Sequence, residues 1–322
     1  IVDIQSSVMP FSCASWNVQR LTYAQLCRCF DYMVKYDVDM LFLNETKCTA
    51  DTFHEWLNKY NDENECHWIG MVNPCNMYHH HGTGVLIHSK HHKEINDESM
   101  TAVHLIANEE WEEKDKRGHL MEGRIIRVCL YDRLFVGTYV PNSGRKLDRL
   151  DYRVNRWDTS LHGYLHQLST RLNKPVYWIG DLNVVPTDFD IHNPKKGKDV
   201  RAGCTKLEKD SHNTFLKEKG WIDVWRKFHP VTFGSKSSSE SKESKEDEKG
   251  KRNIGKSIKI DVCDKGIYSW WSSYSLSNRI LNKGWRLDHV VCNRLGLEHI
   301  EDCCIDDEVQ HSDHAPIRFK LS

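Results

Sequence analysis

In the stretch VYWIGDLNVVP, residues 176 to 186, an apolar run that reads as a buried strand gives way to Asp181 and Asn183. Side chains alternate across a strand, so these two share one face while Leu182 points to the other. Two polar groups are thereby aimed at one place. The competing reading is a turn, because Gly180, Asp181, Asn183 and Pro186 are all turn formers. The pattern recurs, however. SWNVQ carries Asn17 and Gln19, LNETK carries Glu45, YVPN carries Tyr139 and Asn142, RLDHV carries Asp288, and SDHAP carries Asp313 and His314. Each has an ordinary explanation alone: a turn for Asn142, a helix cap for Glu45, a hydrogen-bonded core histidine for His314. As a set, carboxylates and amides with one histidine suit a hard divalent cation held by oxygens. Such an ion suits the charge that builds up in phosphoryl transfer.

The elements that must position these residues alternate in type. FSCASWNV and DMLFLNE are apolar strands ending in polar residues, with a helix predicted over 21–36 between them. GTGVLIHS, GRIIRVCLY and RLFVGTYVPN are β-rich runs separated by turn signals, and WRLDHVVCN and HAPIRFKL close the chain. Leu150, Val154, Trp157, Leu161, Leu165, Leu168 and Leu172 recur every three or four positions, which predicts one helical stripe packed on a sheet. The expected class is mixed α/β. One segment breaks the pattern: residues 234–262 hold 7 Ser and 14 charged residues in 29, too few apolar groups to offset the entropy of ordering. A flexible surface insertion is expected there; its nearly matched charges argue against a basic patch for nucleic acid.

A chain of 322 residues, 39% hydrophobic and 10% aromatic, can bury a large core. Its net charge of −1 announces no nucleic-acid partner, so any basic face must be local. Twelve Cys without paired spacing suggest free thiols in a reducing compartment. A zinc site over Cys66, Cys75 and the run His79, His80, His81 fits no finger or ribbon pattern, and a His-rich surface loop is the competing reading. No apolar run approaches a membrane span, and IVDIQSSVMPF lacks the regions of a signal peptide, so a soluble protein is expected. Because the chain starts at Ile1, an upstream extension with a targeting signal can be missing.

SWNV, NETKC, GRIIRV, TYVPNSGRKLDRLDYRVNRWD, GDLNVVPTDFDIHNPK, NKGWRLDHVV and SDHAPI together resemble, in order and spacing, the exonuclease III type of abasic-site (AP) endonucleases. That family lies within the endonuclease/exonuclease/phosphatase superfamily. SDH and GDLN indicate only the superfamily; YVPNSG and GWRLDH narrow the resemblance to the abasic-site branch. It implies a DNase I-like four-layer sandwich, two packed mixed sheets flanked by helices, with residues 1–233 and 263–322 as one catalytic domain. It also implies Mg²⁺, or Mn²⁺ in its place, held by Glu45 and Asp313. His314, held by Asp288, would bind the scissile phosphate and stabilise its developing charge. Asp181 would orient and deprotonate the attacking water, with Asn183 beside it. Tyr139 and Asn142 would contact the phosphate or leaving oxygen, and Asn17 would hold the acids in place. Trp271, Trp285 and Leu287 match the apolar pocket for a flipped-out abasic sugar, and Arg145 matches a side chain that reaches into the duplex.

The resemblance implies cleavage 5′ to an abasic site in duplex DNA. A monomer is expected, in the nucleus, with the mitochondrion or another organelle as the next choice. Two departures qualify this. Gln19 stands where animal members have Asp in the metal site, and SSYSLSNRILNKG differs from the usual pocket loop. The balance between abasic cleavage and 3′ exonuclease or 3′-repair activity is therefore open. An RNA 3′ exonuclease or phosphatase of the same superfamily, or a catalytically silent nucleic-acid-binding homologue, are the alternatives.

Overall fold

In the computed structural model, described over residues 10–76, 80–107, 109–194, 200–231, 267–275 and 277–322, the strands form two six-stranded sheets. The first contains β1 (Phe11–Asn17), β2 (Met40–Asn44), β3 (Ile69–Asn73), β4 (Thr83–Ile87), β11 (Ile300–Ile305) and β12 (Ile317–Leu321), in the order β11-β12-β1-β2-β4-β3. The second contains β5 (Met100–Ala102), β6 (Ile125–Leu130), β7 (Arg133–Tyr139), β8 (Val176–Asp181), β9 (Ile222–Asp223) and β10 (Asp288–Cys292), in the order β5-β6-β7-β8-β10-β9. Each sheet has one parallel pair at its middle, β1 with β2 and β7 with β8, and the remaining ladders are antiparallel.

A parallel pair needs a crossover. The first is made by α1 (Tyr23–Lys35), whose Leu26, Cys29, Phe30 and Met33 face the sheet at helical spacing and whose first turn is capped by Thr22. Helix α2 (Ala50–Glu63) joins it on the outer face of the first sheet through Phe53 and Leu57. After α3 (Glu113–Met121), the second crossover is a π-helical turn over Tyr152–Asp158 running into α4 (Thr159–Leu172). With α5 (Lys206–Lys219) it covers the second sheet through Trp157, Leu161, Leu165 and Phe215. Between the sheets lie Phe42, Val85, Phe135, Tyr177, Ile179, Val290 and Phe319. Each such side chain contributes about 1.5–3 kcal/mol on burial. A Cβ on Gly137 would meet the Phe42 ring at 2.0 Å, so glycine there lets the sheets approach. The expected four-layer sandwich is what forms.

The expected single stripe from Leu150 to Leu172 is not continuous. The π turn inserts an extra residue per turn, so Tyr152 and Arg153 are buried while Val154 is only half-buried, and Leu172 is exposed. No helix among the described residues is long and apolar enough to cross a membrane. The insertion expected over 234–262 lies outside the described residues.

Candidate active site

The two parallel pairs end at the same place. Asn44, the last residue of β2, donates to the Thr138 carbonyl of β7 at 3.1 Å and accepts from the Asp181 amide of β8 at 3.0 Å. The carboxyl ends of β2, β7 and β8 are thus joined side chain to backbone, with β1 paired alongside β2, and such ends are where open α/β sheets place ligands. Glycine at 180 is required here, since its φ is +148° and a Cβ would meet the Thr138 carbonyl oxygen at 1.9 Å. Beyond the strand ends, Gln19, Glu45, Lys47 and Asn183 all adopt left-handed backbone, with φ of 60°, 57°, 51° and 47°. Such conformations cost a non-glycine residue roughly 1 kcal/mol or more and persist where their surroundings enforce them.

Asn17 is fully buried at the end of β1, and its amide nitrogen donates to Asp181 Oδ2 at 3.0 Å and to Glu45 Oε1 at 3.1 Å. Tyr139 donates to the same Glu45 oxygen at 2.8 Å. Burial acts to raise the Glu45 pKa, but the Lys47 ammonium, 2.6 Å from Oε2, and the Asn17 and Tyr139 bonds hold it below the usual carboxylate range. Tyr139 itself is pushed well above its ordinary value by burial and by that carboxylate. Asn183 accepts from Asn142 at 2.9 Å, donates to the Val140 carbonyl at 2.9 Å, and its backbone amide donates to Asp181 Oδ1 at 3.0 Å.

His314 lies across the site. Its Nδ1 is 2.7 Å from Asp288 Oδ2 and its Nε2 is 3.8 Å from Asp181 Oδ2. Burial would lower the imidazole pKa, yet Asp288 and Asp181 outweigh it and push the group up to about 10. Both carboxylates thus favour the imidazolium form of the ring. Asp181 is pushed the other way from most paired carboxylates, to about 7, by burial and by Asp288, against the pull of His314 and the Asn17 bond. A buried carboxylate poised there can accept a proton near neutrality. Asp181, Asp288 and His314 are also the group of side chains that could together hold a metal ion among the described residues.

Asp313 follows a Ser312 turn whose hydroxyl donates to the Asn17 carbonyl at 2.6 Å, and its Oδ2 accepts from the Trp270 indole at 3.2 Å. Gln19 is exposed; its backbone amide donates to Asn17 Oδ1 at 2.9 Å, and it lines a cavity of about 710 Å³ with Asp313 and Trp271. Beside the site, Trp285 and Leu287 form a small apolar cluster with Val185, Ile191 and Cys204. The aromatic neighbour packed against Trp285 is Trp270, at 5.2 Å between ring centroids, and not the expected Trp271. Short bridges pair Trp270 with both Trp285 and His314, which turns the adjacent Trp271 into the core between the sheets and against Asn282. Arg145 is exposed on the loop after Asn142.

Sequence reading also missed Asn44 and Lys47, both inside the quoted LNETK, and the anchor of the Asn142 loop. Thr205 and Glu208 form a capping box on α5, and the buried Glu208 also accepts from Ser143 at 2.5 Å. Of the proposed zinc ligands, Cys66 donates to Asn61 at 3.3 Å, Cys75 is buried, and His79 lies outside the described residues. The described cysteines are free thiols.

A profile of the endonuclease/exonuclease/phosphatase family matches residues 14–314. The chain belongs to that family. Its relatives place it with the exonuclease III-type enzymes. It is 33% identical to a DNA-(apurinic or apyrimidinic site) endonuclease of Dictyostelium discoideum over 94% of this chain and 68% of that one. It is 30% identical to an exodeoxyribonuclease of Bacillus subtilis, over 96% and 98% of the two chains. With DNA repair nuclease APEX1 of Danio rerio it shares 30% over 96% and 81%. Among solved structures, an AP endonuclease from Leishmania major superposes with a TM-score of 0.69 at 24% identity, covering 97% of this chain and 87% of the other. A 3′ phosphatase from Neisseria bound to a product DNA hairpin superposes with a TM-score of 0.70 at 18% identity, covering 97% and 99%. These two likenesses show the fold.

Proposed function

We propose that this enzyme hydrolyses the phosphodiester 5′ to an abasic site in duplex DNA. The observation that carries the reading is the buried chain Glu45–Asn17–Asp181 facing the His314 imidazolium, set beside the apolar cluster of Trp270, Trp285 and Leu287. The base and the histidine are 3.8 Å apart, so both can address one phosphate group. Asp181 orients the water and takes its proton, and Asn183 fixes its position. As the water oxygen bonds to phosphorus, the P–O3′ bond breaks and the departing oxygen takes a proton from solvent, leaving a 3′-hydroxyl and a 5′-deoxyribose phosphate. His314, kept cationic by Asp288, donates to the phosphate oxygen on which charge builds, and Tyr139 and Asn142 bind the phosphate or leaving oxygen.

The donor set fits a hard cation. Glu45 already holds an ammonium at 2.6 Å, and Asn17 also accepts from the Gln19 amide and, at its carbonyl, from Ser312 beside Asp313. Mg²⁺, or Mn²⁺, bound there would supply positive charge to the phosphate and leaving oxygens. Trp270, in place of Trp271, completes the pocket that accepts a bare sugar and excludes one bearing a base, with Arg145 reaching the duplex from outside. The exodeoxyribonuclease relative, covered over 98% of its length, supports a 3′-5′ exonuclease activity of the same site. The enzyme acts as a monomer in a DNA-containing, reducing compartment, the nucleus first.

The test is incubation with a labelled duplex carrying one tetrahydrofuran abasic analogue. Incision 5′ to the analogue with Mg²⁺ is expected, lost in EDTA and lost by at least about 10³-fold in Glu45→Ala and Asp181→Asn. Undiminished cleavage in EDTA would overturn the metal reading.

A further inference from the structure

Between the pocket residues Trp285 and Leu287 stands Arg286, whose side chain must point away from them because neighbours in an extended segment alternate. It is fully buried. Its Nε donates to Asp190 Oδ1 at 2.7 Å, its Nη1 and Nη2 donate to Asp223 at 3.1 and 2.7 Å, and Nη1 lies 2.9 Å from His289 Nδ1. Asp190 is also fully buried, and Arg226 is its second cation. Two guanidinium groups thus meet two carboxylates, so the buried cluster is neutral as a whole.

Asp190 belongs to the segment paired with Trp285 in the same apolar wall. Its Oδ2 accepts from the Thr187 amide at 3.0 Å and hydroxyl at 2.6 Å, which fixes the turn leading into Ile191. Ile191 bridges to Trp285, the Arg286 amide donates to the Asp190 carbonyl at 2.8 Å, and the His192 amide donates to the Gly284 carbonyl at 2.9 Å. One guanidinium therefore clamps, from behind, both segments that carry the apolar cluster of Ile191, Trp285 and Leu287. A planar fork with fixed donors holds two carboxylates at a set separation, which an ammonium cannot do.

We propose that Arg286, held by Asp190 and Asp223, is a positioning residue that fixes the apolar wall of Ile191, Trp285 and Leu287 and so determines how strongly a bare sugar is preferred over one bearing a base. The proposal rests on the functional reading above. A wall that yields lets a sugar bearing a base push it aside at lower cost, and close packing is what makes the rejection steep. The carboxylate of the adjoining Asp288 bonds His314 and not the guanidinium, so the clamp does not touch the acid that sets the histidine's charge.

The experiment compares wild type with Arg286→Lys and with the milder Asp223→Asn. Single-turnover cleavage is followed on a duplex with the tetrahydrofuran analogue and on the same duplex with an ordinary nucleotide, across pH. Amide hydrogen exchange is measured in parallel. Expected are a fall of about tenfold or more in the abasic preference, a higher KM for the abasic duplex, an unmoved pH profile, and faster exchange at the amides of Trp285, Arg286 and His192. An unchanged preference, or equal losses on both duplexes, would overturn the proposal. If wild type leaves both duplexes whole, the functional reading fails by itself. Unaltered exchange at those three amides in Arg286→Lys would then sink the clamp as well, and faster exchange would sustain it.

Discussion

The side chain of Asn17 donates to Asp181 at 3.0 Å across a separation of 164 residues, and so ties the last residue of β1 to the last residue of β8. The same nitrogen holds Glu45, so one amide spaces the two carboxylates that the proposed chemistry uses for proton transfer and for the cation. Asn17→Ala leaves both without that donor. A hydrogen bond to a buried charged group is worth roughly 1.5–3 kcal/mol, so a loss of about 10- to 100-fold in single-turnover rate is expected, with a smaller change in KM. A rate within twofold of wild type would show that Asn17 does not support the acids.

Of the carboxylates that raise His314, Asp288 acts most strongly, and without it burial would act on the ring with less opposition. In Asp288→Asn the imidazolium should lose its proton at lower pH. The alkaline limb of the rate profile, set in wild type by a group pushed up to about 10, should therefore move down by at least about one pH unit. A pH-rate series on the abasic duplex reads this directly, and an unmoved limb would mean that His314 does not act as a cation.

Gln19 supplies an amide where a carboxylate would add negative charge beside Asp313. Gln19→Asp should reach half-maximal activity at lower Mg²⁺, most clearly at low ionic strength, while the rate at saturating metal changes less. Coincident titration curves for the two proteins would place residue 19 away from the ion and its waters.

His212 is 2% exposed, and burial together with the charges of His289, His162, Arg153 and Arg286 holds its pKa well below the ordinary imidazole value. Its folded value thus lies below the unfolded value of about 6.5, and the unfolded chain binds the extra proton in between. The stability it confers is complete above about pH 6.5 and is lost as pH falls below that. His289, lowered to about 4 by burial and Arg286, adds to the same slope. Thermal melts between pH 7 and 5 should show the loss, and His212→Leu should reduce the slope by up to one proton, about 1.36 kcal/mol per pH unit. An equally steep slope in the variant would mean that His212 is already protonated in the fold.

What the sequence determined by itself were the local facts. Central strands such as FSCASWN and VYWIG are buried on both faces, so they read as apolar runs, and the polar residues that end them stand out for the same reason. Glu45, Asp181, Asn183 and His314 could be picked from the sequence because a carboxylate, amide or imidazole at such a place is costly unless it has partners. Which partners they have was decided only in three dimensions. Asn17 meets Asp181 because two parallel pairs from different sheets end together, a relation between residues far apart in the chain that no local period encodes. That Trp270, and not Trp271, packs on Trp285 rests on two isolated bridges outside any regular strand, so alternation could not be started from a known residue. The stripe from Leu150 was misread because a π turn changes the period midway, and periodicity is the only signal the sequence offers for it. Arg286 carried no signal at all: a lone arginine between Trp285 and Leu287 reads as a surface charge until the fold brings Asp190 and Asp223 to its guanidinium and makes its burial tolerable.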